Sequence, residues 1–313
     1  MPVVWLRPTL LLMMVVLTSK ASLAEGFLEP GAKVTKAIGG CRFTEGPAVD
    51  AQGNLFFSDG PNDRIMKRAP DGTVSIFRQP CGATNGMEFD LEGRLVMCQS
   101  AGAKGKRRVA RIDHDGAETP LAETFEGHRL NAPNDLTIDN QGRIYFTDIA
   151  APMGDKPPEL ASGVYRIDAP GKFVRVIDDL ARPNGIVITP DNKTLYVSDR
   201  GSQKLHRYKV AEDGSLTADG ILYDFSPDRG VDGMTLDVDG NVVAAAGQNK
   251  TTGLFVVSPA GKLLQHTPLP EFATNVAFAG SDYRDLFMTA TTSVYHIRTI
   301  KPGIPPVVKT AKQ

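Results

Sequence analysis

Six oxygen-bearing side chains recur at one position of a repeating phrase: Glu45, Asn85, Asn134, Asn184, Asp232 and Asn275. Each opens a short apolar run that turns at Asp, Asn or Gly and returns as a second apolar run. Carboxylate and amide oxygens are hard donors, suited to Ca²⁺, Mg²⁺ or Mn²⁺ rather than to a soft metal. A single Asn entering a strand is ordinarily a turn residue, because its side chain bonds nearby backbone. Six equivalent positions, none of them Ser, Lys or Arg, point instead to convergence on an axis. Two carboxylates sharing a narrow channel repel unless a cation lies between them.

The elements that must carry these side chains follow from the phrase itself. Its copies run over Glu45–Asp59, Asn85–Met97, Asn134–Asp148, Asn184–Asp199, Asp232–Val243 and Asn275–Thr289. Their starts are spaced about 40 to 50 residues apart, the period of a propeller blade. A unit this small cannot bury both faces of its own sheet, whereas six packed in a ring bury them against one another. The chain therefore reads as all-β, a six-bladed β-propeller. Pairs such as 64–67 with 74–77, and 164–167 with 172–177, supply the outer strands. The innermost strand of each blade lines the central channel, which puts the six acceptors at its mouth. Residues 33–38 are expected to add an outer strand to the last blade, and 301–313 to fray.

Composition bounds the rest. The 313 residues are 41% hydrophobic and 23% charged, with a formal net charge of −1, ordinary for a globular protein. No basic run suits a nucleic-acid partner. Lys104, Lys106, Arg107 and Arg108 are broken up by Gly105 and read as a solvated loop. Residues 1–24 read as a signal peptide: Arg7 supplies the positive region, 9–17 the apolar run, and Ser22-Leu23-Ala24 the cleavage site. That run is too short to span a bilayer, so no stable membrane anchor is expected. Residues 25–313 are then a single propeller domain of an exported protein, periplasmic or extracellular. Cys41, Cys81 and Cys98 cannot all pair within one chain and are expected as buried thiols. The sequence has no Gly-x-Ser-x-Gly elbow and no HExxH among its five histidines, which removes the schemes built on them.

The runs Phe43–Pro47, Leu130–Asp135, Arg182–Gly185 and Val231–Met234 together resemble the senescence marker protein/gluconolactonase/luciferin-regenerating family of six-bladed propellers. The likeness spans residues 35–298. It implies that Glu45, Asn184 and Asp232 hold one metal, usually calcium, with Zn²⁺, Mn²⁺ or Mg²⁺ as alternatives. Asn134 is implied as a fourth ligand or substrate contact, and Asp232 as the residue nearest the chemistry. The family hydrolyses sugar lactones, and some relatives hydrolyse organophosphates or other esters. Several animal members carry an arginine two residues before the position of Asn134, where this chain has Ala132. Arg129, or His128 beside it, is the candidate substitute, although both read first as parts of a solvated loop; Asn85 is a further candidate substrate contact.

The chemistry follows from the donors. A cation held by Glu, Asp and Asn keeps positive charge and polarises a lactone carbonyl. Calcium is a weaker Lewis acid than zinc, so a protein base is expected: Asp232, as general base or as direct nucleophile. The partner is then a small-molecule lactone or ester. Two other readings stand beside this one. One is a propeller that binds a ligand or protein without catalysis, since the fold hosts many functions. The other is an aryl-ester or phosphotriester hydrolase on the same site.

Overall fold

The computed structural model describes Met1, residues 26–150 and residues 157–307. The expected signal peptide and its cleavage point lie outside the described residues, Met1 apart. Among the described residues the regular structure is strand, apart from two single-turn 3₁₀ helices.

Alternating apolar residues bounded by Gly- and Asp-rich turns fold into six four-stranded antiparallel sheets. Blade 1 comprises Thr44–Val49, Leu55–Asp59, Arg64–Arg68 and Val74–Arg78. Blades 2 to 5 repeat that order, with inner strands Thr84–Phe89, Pro133–Ile138, Pro183–Ile188 and Met234–Leu236. Blade 6 takes Ala273–Ala279, Asp285–Ala290 and Val294–Arg298 from the end of the chain and Thr35–Ile38 from its beginning. The expected closure of the ring is therefore made, by antiparallel pairing of Thr35 with His296 and Lys36 with Tyr295.

Period-two alternation explains the core. In blade 1 Phe56 faces blade 2, packing with Met87 and Leu95, while its neighbours Leu55 and Phe57 face blade 6, packing with Ala277 and Phe287. The same division gives six hydrophobic clusters, each spanning two adjacent blades. Burial of both sheet faces between neighbours is what a single blade lacks and the ring supplies.

The hairpin between the first two strands of a blade is set by an Asx turn. Asp50 Oδ1 accepts from the Gln52 and Asn54 amides, and Asp90, Asp139 and Asp237 repeat the arrangement.

Residues 301–307, expected to fray, are held instead. The Gly303 amide donates to Tyr283 O at 2.8 Å, the Val238 amide to Pro302 O at 3.1 Å and the Ile304 amide to Leu236 O at 3.3 Å. This strap crosses from blade 6 to blade 5 at the end of the channel away from the six acceptors. There Ile304–Val307 cover a cavity of about 200 Å³.

The three cysteines are free and buried, as expected. The basic group at 104–108 is more tied down than a solvated loop: Lys106 and Arg108 pair with Glu118 at 2.7 and 2.6 Å, and Arg107 donates to Leu130 O.

Candidate active site

The six acceptors stand where the inner strands begin, and the local structure turns them to the axis. In blades 1 to 4 the pairing register slips between Glu45 and Ala48, Thr84 and Met87, Pro133 and Leu136, and Pro183 and Ile186. A bulge inserts one unpaired residue and re-aims its side chain. Glycine follows the acceptor in blades 1, 2, 4 and 5 because the next blade stands in the way. A Cβ on Gly46 would lie 2.0 Å from Asn85 O, one on Gly185 2.4 Å from Asp232 O, and one on Gly233 1.9 Å from the Asn275 amide carbon.

In blades 1, 3 and 4 two residues at the far end of the phrase, a hydroxyl and an aspartate, fix the ring further. The hydroxyls of Ser58 and Thr147 donate to the carbonyls of Asn85 and Asn184 in the following blade, at 3.2 and 2.8 Å. The aspartate after each hydroxyl grips its own blade. Asp59 Oδ1 accepts from the Arg42 and Phe43 amides, Asp148 from those of Asn131 and Ala132, and Asp199 from that of Arg182. Those amides belong to the loops leading into Glu45, Asn134 and Asn184.

The side chains so placed are buried and short of partners. Glu45 is 7% exposed, Asn184 4% and Asp232 3%; Asn85 and Asn134 are half-buried. Glu45 Oε2 accepts from its neighbouring Gly46 amide at 3.0 Å. Its other oxygen, Asp232 Oδ1 and the side-chain amides of Asn85, Asn134 and Asn184 have no hydrogen-bond partner among the described residues. Burial pushes the Glu45 carboxyl well up from its ordinary range, and the charges of Asp232 and Asp135 add to this. Such a donor set fits a hard cation, which would partner the bare oxygens and relieve the repulsion. Among the described residues no three His, Cys, Asp or Glu side chains are grouped to hold a metal, so amide oxygens would have to share in the shell.

Asp232 is gripped on one oxygen. Arg229 Nη1 donates to Oδ2 at 2.8 Å, and Arg200 Nη1 lies 3.5 Å from that atom. Asn275, sixth of the ring, is already occupied: its Oδ1 accepts from the Val276 amide and its Nδ2 donates to Asp135 Oδ2 at 3.3 Å. Arg129 sits on an exposed outer hairpin, where its guanidinium donates to Lys106 O. His128 on the same hairpin faces Glu159. A pocket of about 380 Å³ opens between blades 1 and 2, and its wall includes Glu45, Asn85, Phe43 and Lys104.

Sequence reasoning passed over Asp135 and Arg229. Asp135 stands in blade 3 where blades 1, 2, 4 and 5 have glycine, and that substitution was its signal. Burial pushes Asp135 up to about 7, with the Asp232 charge adding and the Leu136 amide and Asn275 opposing. Arg229 lies outside the repeated phrase and left no signal.

Residues 43–292 match the SMP-30/Gluconolactonase/LRE-like region family. The chain belongs to that family. A gluconolactonase of Zymomonas mobilis is 30% identical over 292 residues, covering 82% of this chain and 79% of the relative. A lactonase, drp35, of Staphylococcus saprophyticus is 29% identical, covering 70% of this chain and 69% of the relative. A solved gluconolactonase structure from Xanthomonas campestris superposes with a TM-score of 0.77 at 32% identity, covering 88% of this chain and 91% of the other.

Proposed function

We propose that this protein is an exported hydrolase that opens lactones with the help of one divalent cation, calcium first among the choices. The observation that carries the reading is the set of side-chain oxygens without protein partners on the buried residues Glu45, Asn184 and Asp232, in a family whose similar members are gluconolactonases and lactonases. Residues 1–24 support export.

Glu45, Asn134, Asn184 and Asp232 would hold the cation, which when bound supplies a Lewis acid for the lactone carbonyl. The chain's own residues do the rest. Asp232 Oδ1, the oxygen that Arg229 leaves unengaged, takes a proton from the water that attacks the carbonyl carbon. The ring C–O bond then breaks, the proton passes to the departing alkoxide, and a hydroxy acid leaves. Asn85 and Asn134, both half-buried with bare amides, would orient the substrate through its ring and hydroxyl oxygens.

The test is hydrolysis of a panel: a sugar δ-lactone, a γ-lactone, an aryl ester and a phosphotriester. The protein is stripped with chelator and reloaded with Ca²⁺, Mn²⁺ or Zn²⁺, beside Asp232→Ala. Lactone turnover is expected only with metal, and about 10²- to 10⁴-fold slower in the variant. Full activity after stripping, turnover of only the ester or phosphotriester, or a folded metal-bound protein inert on the whole panel would each overturn it.

A further inference from the structure

Blade 5 lacks the aspartate that steadies the acceptors of blades 1, 3 and 4. Asp232 stands to Ala246 as Glu45 stands to Asp59 and Asn134 to Asp148, fourteen residues on in the same phrase. Where those blades have an aspartate gripping the loop that leads into the acceptor, blade 5 has a methyl group. The hydroxyl before it is missing too, replaced by Ala245.

Arg229 occupies the vacated role. It lies three residues before Asp232, in the loop that the missing carboxylate would have held. Its side chain is 7% exposed. Nε donates to Gly247 O at 2.8 Å, Nη2 to Ala273 O at 2.7 Å and Nη1 to Asp232 Oδ2 at 2.8 Å. The guanidinium also lies over the Phe272 ring, 3.8 Å from its centroid. The Gly247 amide returns a bond to Arg229 O at 3.0 Å. One planar group thus ties the loop of blade 5, the end of its second strand, the first residue of blade 6 and one oxygen of Asp232. Lysine offers the charge but not the fork.

We infer that Arg229 is the positioning residue for Asp232: it engages Oδ2, sets the carboxylate plane and leaves Oδ1 directed at the site. The inference rests on the proposed metal-dependent hydrolysis. It has a second consequence, because a fixed cation beside a metal ligand opposes a bound divalent cation. Arg229 therefore trades some metal affinity for a correctly aimed Asp232.

The two effects separate in experiment. Full-length Arg229→Gln and Arg229→Lys are compared with wild type for kcat, KM, thermal midpoint and calcium affinity, the last by titration calorimetry without substrate. Arg229→Gln is expected to lower kcat about 10- to 100-fold with little change in KM, as misplacement of a reacting group does. It should bind calcium roughly 3- to 10-fold more tightly, since a repelling charge is gone. Arg229→Lys should return calcium affinity toward wild type while kcat stays low. A residue that merely held the fold would weaken calcium binding and kcat together. That pattern, or wild-type kcat in a folded Arg229→Gln, would overturn the inference. If Arg229→Gln does not fold, Arg229→Lys decides: wild-type kcat overturns, and low kcat at unchanged calcium affinity supports. Absence of calcium binding and of metal-dependent turnover in wild type would instead sink the reading of the site, a distinguishable failure.

Discussion

Two carboxyls on the channel wall behind the acceptor ring make this protein's stability depend on pH. Glu88 faces the lower cavity, where burial pushes its carboxyl up to about 8 against the opposing Ile138 amide. Asp135, which lines the same cavity, is pushed up to about 7 by burial. In the unfolded chain both titrate in the ordinary carboxylate range. Between that range and about pH 8 the folded protein therefore binds more protons than the unfolded one, so stability falls as pH rises. The contribution is intact below the ordinary range and fully lost above the folded values. Glutamine mimics the protonated acid, so Glu88→Gln should flatten this dependence. Between pH 5 and pH 9 the wild-type thermal midpoint should drop further than that of the variant. The difference should be on the order of 1–3 kcal/mol, at about 1.5 °C per kcal/mol for a chain of this size. Parallel midpoint curves would mean that Glu88 is ionised at pH 9 without cost, hydrated by channel water.

The strand ends, rather than the acceptors themselves, decide how firmly the site is built. Asp148 is fully buried, and its carboxylate satisfies the Asn131 and Ala132 amides at 2.9 and 2.7 Å and the Asn131 side chain at 3.1 Å. Removing it strands those donors, at on the order of 1–3 kcal/mol each, and frees the loop that carries Asn134. Asp148→Ala should thus lose stability in urea and also lose kcat/KM by about 10-fold or more. A destabilised variant with wild-type kcat/KM would reduce the anchor to a folding role. The repeated phrase already displayed Asp59, Asp148 and Asp199 at its end, so the anchors were visible as letters although their partners, upstream of the phrase, were not. Asp135 and Arg229 were harder to see for the opposite reason. A repeat announces what recurs, and these two act at points where a blade departs from the common pattern.

At the scale of the ring, the same logic separates what the sequence disclosed from what it withheld. Six phrases at blade spacing lead to six blades because no smaller assembly buries their faces, and the closing strand Thr35–Ile38 is legible because blade 6 is otherwise one strand short. The strap at 301–307 has no counterpart in any blade and ends in a proline-rich run, so nothing in its composition distinguishes a docked tail from a loose one. Its docking surface exists only once blades 5 and 6 are side by side: Gly303 packs so closely on Phe278 that a Cβ would lie 2.2 Å from the ring. The two closures differ in kind. Thr35–Ile38 completes a sheet, and removing it bares the edge of Val294–Arg298, an open template for aggregation. The strap bridges two finished blades by three backbone hydrogen bonds and covers apolar channel wall. Ending the chain after Ile300 should therefore leave a folded propeller with a thermal midpoint lower by several degrees, about 1–3 kcal/mol of lost bonds and burial. Its lactone kcat/KM should match wild type, because the acceptor ring lies at the other mouth. Starting the chain at Gly39 should cost more and give aggregation on refolding. Equal losses from the two truncations, or a loss of turnover on removing the strap, would mean that the channel ends are coupled through the inner strands.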